Sequence, residues 1–331
     1  MPGPYTPSDS RNYLGIGKQT AKGTAVAPTL FVAFHDDVEL AHNQEISGLK
    51  EAGGAGSVTL AEKLTHAPAG GFSFRARPSI SGRMCAYLLG NDSVTGTGPY
   101  DHAITKDIQN TDYLTIEQNL ADEGIERFVD AVISELVFEV SNEDTQIARF
   151  TGRWLGTAPA VQATATTETY ESETPFVLRD ATWTIDGSVR SNVRRLRLAM
   201  TMRYSAEKLS DVVPAYLVKL AFDVEGEIEQ LMLAWSDEYR LVHYGSTSGT
   251  TYQKAPTTGS LTADFAYGTG ASARGLKFAV PNLDWLDATY TPLNPDPGSA
   301  VRVTRTFRAR EVSGTPIITV TAKTNDSAAY V

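Results

Sequence analysis

The chain has a single cysteine, Cys85, so an intrachain disulfide framework is excluded. Cys85 falls on the apolar side of a predicted short helix and reads as a buried, inert thiol. One cysteine and five histidines, with no HxxxH or HExxH spacing, supply no zinc-type ligand set. His35-Asp36-Asp37 is the nearest thing to a metal cluster, but neighbouring strand residues point to opposite faces, and it reads as a solvated strand end. There is no GxSxG elbow. Gly17-Lys18 suggests a P-loop and fails it, because the pattern needs glycine where Asn12 stands and Ser or Thr where Gln19 stands. No apolar run reaches membrane-span length. Met1-Pro2-Gly3-Pro4-Tyr5 lacks the basic head and apolar stretch of a signal peptide. Basic charge is also short: 29 Lys and Arg face 39 Asp and Glu, a net −10 that argues against a phosphate-gripping nucleic-acid binder. The deficit is uneven, with 20 acidic and 12 basic residues in 1–160 and 19 and 17 in 161–331. These absences leave no catalytic, cofactor or metal site, and the chain is expected not to be an enzyme.

What the chain does have is threonine, valine, tyrosine, 27 glycines and 16 prolines, the composition of short strands joined by turns. Its length suits two domains, each with its own core. Ala61-Glu62-Lys63-Leu64-Thr65 is answered by Ala206-Glu207-Lys208-Leu209-Ser210. Pro68-Ala69 and Pro214-Ala215 follow. The alternating runs Phe72–Ile80 and Tyr216–Val224 then continue through Gly82 and Gly226 into predicted short helices, with Met84, Tyr87 and Leu88 or Ile228, Leu231 and Met232 as their apolar faces, each helix capping one sheet. Leu30–Phe34 is a strand whose counterpart is Phe176–Leu178, with Asp37–Leu40 and Thr182–Ile185 continuing the match. Asn91–Pro99 is a turn region, followed by a hairpin of Tyr100–Thr105 with Tyr113–Asn119. Its second-half counterpart is Arg240–Tyr244, a loop at 245–259 and Ser260–Tyr267. Phe128, Ile133 and Leu136 match Phe278, Leu283 and Leu286. Phe150-x-x-Arg153 matches Phe307-x-x-Arg310. Residues 157–175 are the linker. The expected fold is mainly β: two tandem β-sandwich or barrel domains, 1–160 and 161–331, each with one short flanking α-helix. Two repeats are too few for a solenoid, so a fused dimer is the natural reading.

The halves differ ahead of the repeated motif. In the first, residues 41–71 form a long connection containing Gly53-Gly54-Ala55-Gly56, partly a projecting hairpin. In the second, Val193–Tyr204 alternates as a strand and carries Arg194, Arg195 and Arg197 close after Arg190. Pairing between subunits with the acidic first half is preferred for this cluster over contact with nucleic acid. Asn43, Gly53, Gly54, Gly56 and these four arginines are the candidate interface residues.

The opening Tyr13-Leu-Gly-Ile-Gly-Lys-Gln-Thr-Ala-Lys-Gly-Thr-Ala-Val-Ala-Pro-Thr29 resembles that of tail tube (major tail) proteins of long-tailed, non-contractile bacteriophages. Phe72–Gly90 and the strand pair Phe128–Leu136 with Ile147–Gly156 are similar to that family as well. The resemblance implies a structural virion protein whose rings stack into the tail tube, the conduit for DNA ejection. With two units per chain, it implies trimeric rings of pseudo-sixfold symmetry. Residues 41–71 and the N-terminal arm would touch the next ring. The chain itself, a tape measure protein and tail terminator or distal tail proteins are the implied partners. DNA would pass the lumen unbound, and an acidic lumen would repel it. Assembly in the host cytoplasm into the virion tail is implied, without a membrane. The competing reading is a tandem β-sandwich of a tail fibre or adhesin that recognises cell-surface carbohydrate through Tyr244, Tyr252 and Tyr267.

Overall fold

The computed structural model describes residues 12–33, 38–49, 60–109, 111–120, 124–143, 145–157, 159–162, 164–208, 213–233, 236–291 and 300–331. In the first half run β1 (Asn12–Lys18), β2 (Leu30–Val32), β3 (Glu39–Ala41), β4 (Gln44–Leu49), β5 (Leu60–His66), β6 (Ala69–Arg75), α1 (Pro78–Leu89), β7 (Gly90–Thr95), β8 (Tyr100–Lys106), β9 (Leu114–Leu120), β10 (Ile125–Ser141), β11 (Arg149–Leu155) and β12 (Pro159–Gln162). In the second run β13 (Ala181–Ile185), β14 (Ser188–Arg190), β15 (Val193–Glu207), β16 (Tyr216–Leu231), α2 (Leu241–Tyr244), β17 (Thr257–Tyr267), β18 (Arg274–Tyr290), β19 (Arg302–Ala309) and β20 (Thr319–Thr324). The chain is mainly β, 56% strand with two short helices.

Alternation builds the strands. β15 buries Leu196, Leu198, Met200 and Met202 and turns Arg195, Arg197, Ala199, Thr201 and Arg203 outward. α1 starts where the expected strand was to continue. Arg77 is its extended N-cap, Pro78 takes the first turn, where no backbone N–H is required, and Gly90 closes it in the left-handed region (φ 93°). The strand expected over Phe72–Ile80 therefore stops at Arg75, and Gly82 lies inside the helix. α1 is buried nearly all round, enclosed by β8, β10, β18 and β20 instead of capping one sheet. No helix follows Gly226, because β16 runs through it to Leu231. Helical turns appear only later, over Ser236–Arg240 and α2, so Arg240–Tyr244 is not a strand.

All pairing is antiparallel. One open sheet runs β3-β6-β11-β10-β15-β16-β19-β18-β17-β13-β14. β18 also carries a β20-β8-β7 branch, and the N-terminal half of β10 carries β9-β1-β2 on one side and β12 on the other. β8 and β9 both exist but do not pair with each other, and the supposed turn region Asn91–Pro99 holds most of β7. The linker contains β12.

Bulges align the halves more firmly than side chains do. β10 and β18 are both 17 residues long. β10 slips against β9 between Phe128 and Ala131, which face Ile116 and Leu114; β18 slips against β17 between Val280 and Leu283, which face Leu261 and Gly259. Each strand slips again on its other side, β10 between Ile133 and Glu135 and β18 between Trp285 and Asp287. Both slips put Phe128 opposite Val280 in the comparison, and Ile133 opposite Trp285, two residues beyond the expected matches Phe278 and Leu283. Leu136 then corresponds to Ala288. That resolves the mismatch of buried Leu136 with Leu286, which is 55% exposed. Across the hairpins, Arg153 matches Thr306 and Trp154 matches Phe307, so Phe150-x-x-Arg153 and Phe307-x-x-Arg310 are out of register.

The projecting hairpins match too. β4–β5 slips between Glu45 and Ile46, and β15–β16 slips between Arg203 and Tyr204. Ala61-Glu62-Lys63 thus lies on the returning strand of one hairpin and Ala206-Glu207 on the outgoing strand of the other. The motif that first suggested a repeat marks different places in the two halves. By its pairing with β17, β13 matches β1, which pairs with β9, and β14 then matches β2. Thr182–Ile185 accordingly answers the opening strand, and Phe176–Leu178 is not the partner of Leu30–Val32. Gly70 and Gly226 share a cause: an added Cβ would sit 2.4 Å from Trp154 Nε1 and 2.4 Å from the Phe307 ring.

The core is one cluster that draws on both halves. Phe138 of β10 packs on Phe150 (ring centroids 5.2 Å), Phe265 (5.2 Å) and Phe278 (4.7 Å). Burying such a ring contributes about 1.5–3 kcal/mol, here shared across the boundary between halves.

Candidate functional site

Strands β3 to β19 bury one face of the sheet and expose the other. On the exposed face stand Arg149, Thr151 and Arg153 of β11, then Glu135 and Glu139 of β10. Arg195, Arg197 and Arg203 follow on β15, Asp223, Glu225, Glu227 and Glu229 on β16, and Arg302 and Arg308 on β19. Acidic and basic strands alternate, so charges meet across the ladder. Arg195 reaches Glu139 (2.8 Å) and Glu227 (3.4 Å), Arg203 reaches Asp223 (2.8 Å), and Arg308 reaches Asp223 (2.6 Å) and Glu225 (3.5 Å). Arg194 and Arg302 both approach Glu229 (3.4 and 3.5 Å), and Arg302 also pairs with Glu143. A groove of about 410 Å³ crosses this face, lined by Glu39, Ala41, Gly71, Glu135, Arg153 and Thr201. The groove runs across the strands from β3 to β15, which are four steps apart in the sheet.

The halves are stitched together where β10 meets β15, with Glu135 opposite Thr201 through to Ser141 opposite Arg195. Glu139 sits at this seam between Arg149 (3.1 Å) and Arg195. Desolvation pushes its pKa up, but hydrogen bonds from Arg149 and Arg195 outweigh this and hold it below the usual carboxylate range. A buried carboxylate, Glu117, anchors the opening strand. Glu117 accepts from Tyr13 Oη (2.5 Å) and from Arg127 Nε (2.8 Å). These bonds overcome the desolvation of Glu117 and lower its pKa, while burial, then the bond to Glu117, raise the Tyr13 phenol to about 12. The opening segment also clasps the second half: Lys22 lies 3.9 Å over the Tyr216 ring and donates to the Ala215 carbonyl.

The structure gathers three of the four predicted arginines. Arg194 and Arg195 pair with carboxylates of their own chain, Arg197 is exposed on the same face, and Arg190 ends β14 beside a separate groove with Trp183 and Val189. Asn43 is exposed at the break between β3 and β4, with φ 40°. Gly53, Gly54 and Gly56 lie outside the described residues, as does His35-Asp36-Asp37. The acidic partners were missed, although Asp223, Glu225, Glu227 and Glu229 recur at the strand period, as Arg195 and Arg197 do. Among the described residues no group of His, Cys, Asp and Glu could hold a metal ion, and no helix is long and apolar enough to cross a membrane. Cys85 is buried and its thiol pKa is raised by desolvation. Of the three tyrosines considered for carbohydrate, Tyr267 is tied to the Thr174 carbonyl (2.9 Å) beside Phe176, and Tyr252, 69% exposed, contacts Tyr244 and His243.

Among the described residues this surface is a charge-paired sheet with two hairpins projecting from it. A family model described as phage tail tube protein matches residues 9–309. No curated protein matches the chain. The match takes in both hairpins and the seam between the halves, and the chain belongs to the phage tail tube protein family, as a structural component of the virion tail.

Proposed function

We propose that the chain is two copies of one tube unit, divided near residue 160, and that three chains close a ring of six such units. The β10–β15 seam carries this reading: a strand of one unit adds to the edge of the other, and the same strand positions recur in each half with the same bulges. A head-to-tail junction of this kind generates a ring when the rotation closes. The charged face lines the lumen. Apart from Arg197 its arginines are paired with carboxylates, so few side-chain cations are free to displace counterions from DNA phosphates, and the duplex passes without being held. This differs from an acidic lumen, because the face is neutralised in place.

Rings stack through the projecting hairpins. The outgoing and returning strands of β4–β5 hold Ile46, 64% exposed, and those of β15–β16 hold Tyr216, Val218 and Leu220, exposed at 49%, 44% and 63%. The tube ends would meet the tape measure protein and the terminator and distal tail proteins, and the tube would conduct DNA at ejection. Assembly takes place in the host cytoplasm. Native mass spectrometry of the smallest closed ring, with electron microscopy of the tubes, tests the reading. Three chains per ring are expected; six chains, or a strict monomer at high concentration, would overturn it. Deleting residues 43–60 is expected to leave folded monomer without tubes.

A further inference from the structure

We infer the strand register of the joint between one chain and the next: β3 of one copy adds to the far edge of β18 in a second copy, with Ala41 opposite Thr289. The inference rests on the ring reading above and specifies the surface that closes it.

Within the chain, the seam pairs Thr201 with Glu135, Met200 with Leu136, Ala199 with Val137, Leu198 with Phe138 and Arg197 with Glu139. The matched bulges translate each side. On the strand that receives, Glu135 to Glu139 become Asp287 to Thr291. On the strand that donates, the hairpin bulges and the shared glycines (Leu198 opposite Gly226, Leu40 opposite Gly70) turn Arg197 to Thr201 into Glu39 to Asn43. The joint therefore sets Asn43 against Asp287, His42 against Ala288, Ala41 against Thr289, Leu40 against Tyr290 and Glu39 against Thr291.

Neither edge carries a further strand among the described residues. Among the described residues β3 pairs with β6 alone, and β17 leaves β18 at Trp285. Exposure agrees with a missing partner: Phe138 is fully buried at the seam, whereas Tyr290, its counterpart, is 45% exposed. The open edge of β18 is masked in the single chain. His243 Nε2 donates to the Ala288 carbonyl (2.8 Å), and the Ala288 N–H donates to Asp287 Oδ1 (2.8 Å). Side chains that occupy edge groups keep an isolated strand from pairing indiscriminately, and an incoming β3 replaces both bonds with ladder bonds. The two junctions also differ in charge, since Glu39 stands where the seam has Arg197. A chain end thus does not mimic the internal seam.

The test is a full-length Ala41→Cys/Thr289→Cys chain, oxidised mildly after assembly. Directly opposed Cβ atoms lie about 4.5–5.5 Å apart, within reach of a disulfide after small adjustment. Cys85 is buried and does not compete. Expected is a covalently closed three-chain species on non-reducing gels, absent from either single variant and at least severalfold weaker for Ala41→Cys/Asp287→Cys, which is out of register by two. Tubes that form normally while the in-register pair fails to cross-link, or equal cross-linking of the shifted pair, overturn the joint and leave the ring reading standing. Wild-type protein that forms neither ring nor tube overturns the ring reading, and the joint falls with it.

Discussion

β10 and β18 have the same length and the same two bulges, yet one is covered and the other is open. The far edge of β10 is filled by β15 over seven residue pairs, and every apolar residue facing inward there is sealed. The matching edge of β18 ends in Tyr290, half exposed, and an Ala288 backbone held by His243 and Asp287. The backbone irregularities coincide where the side chains do not: Ile133 stands at the place of Trp285, Leu136 of Ala288 and Phe138 of Tyr290. A bulge fixes strand bend and twist, which an assembly of matching units needs, while residues on each edge follow whatever covers it.

The strongest way to break this comparison is Phe138→Ala set beside Tyr290→Ala. Removing Phe138 empties the site between Phe150, Phe265 and Phe278, and equilibrium denaturation should show a loss of about 3–5 kcal/mol. Tyr290→Ala should cost less than about 1 kcal/mol in the isolated chain and be felt only on assembly. Equal losses would mean that the two positions do not correspond. Next in size are Gly70→Ala and Gly226→Ala. Each new methyl would meet an aromatic ring atom at 2.4 Å and a strand carbonyl at 2.6 or 2.8 Å, Glu39 and Arg197 respectively, an overpacking worth about 1–3 kcal/mol apiece. A large cost at one and none at the other would dissolve the hairpin match. Smallest is Glu139→Gln at the seam. The folded-state pKa of Glu139 is depressed, so its contribution is complete above the unfolded carboxylate value of about 4.3 and disappears as pH falls through the folded value. Urea unfolding should show wild-type protein losing up to about 1 kcal/mol more than the variant between pH 7 and pH 3, with no comparable effect at Thr291, the uncharged counterpart.

Much of the β character was legible in the sequence, because alternation reports which face is buried. Register was not. A shift of two residues leaves every side chain on its original face, so pairing Phe128 with Phe278 satisfied the pattern as well as pairing it with Val280. The Ala-Glu-Lys-Leu identity was persuasive and misplaced, since short matches carry no information about which strand of a hairpin they occupy. The end of β6 could have been read from Arg77-Pro78, where proline opens a helix and no ladder bond is lost. The charged face was half visible in the arginines of β15. Its acidic complement was split: Asp223 to Glu229 stand on the next strand at the same period, while Glu135 and Glu139 lie on β10, brought beside β15 only by folding.

Phe138 has a consequence for how the chain can be handled. The ring belongs to the first half and three neighbours surround it, two of them from the second. Each half translated alone would expose that aromatic cluster and the full edge of β10 or β15. A stalled or proteolysed half-chain would therefore be a sticky species, prone to aggregate through that exposed cluster and strand edge.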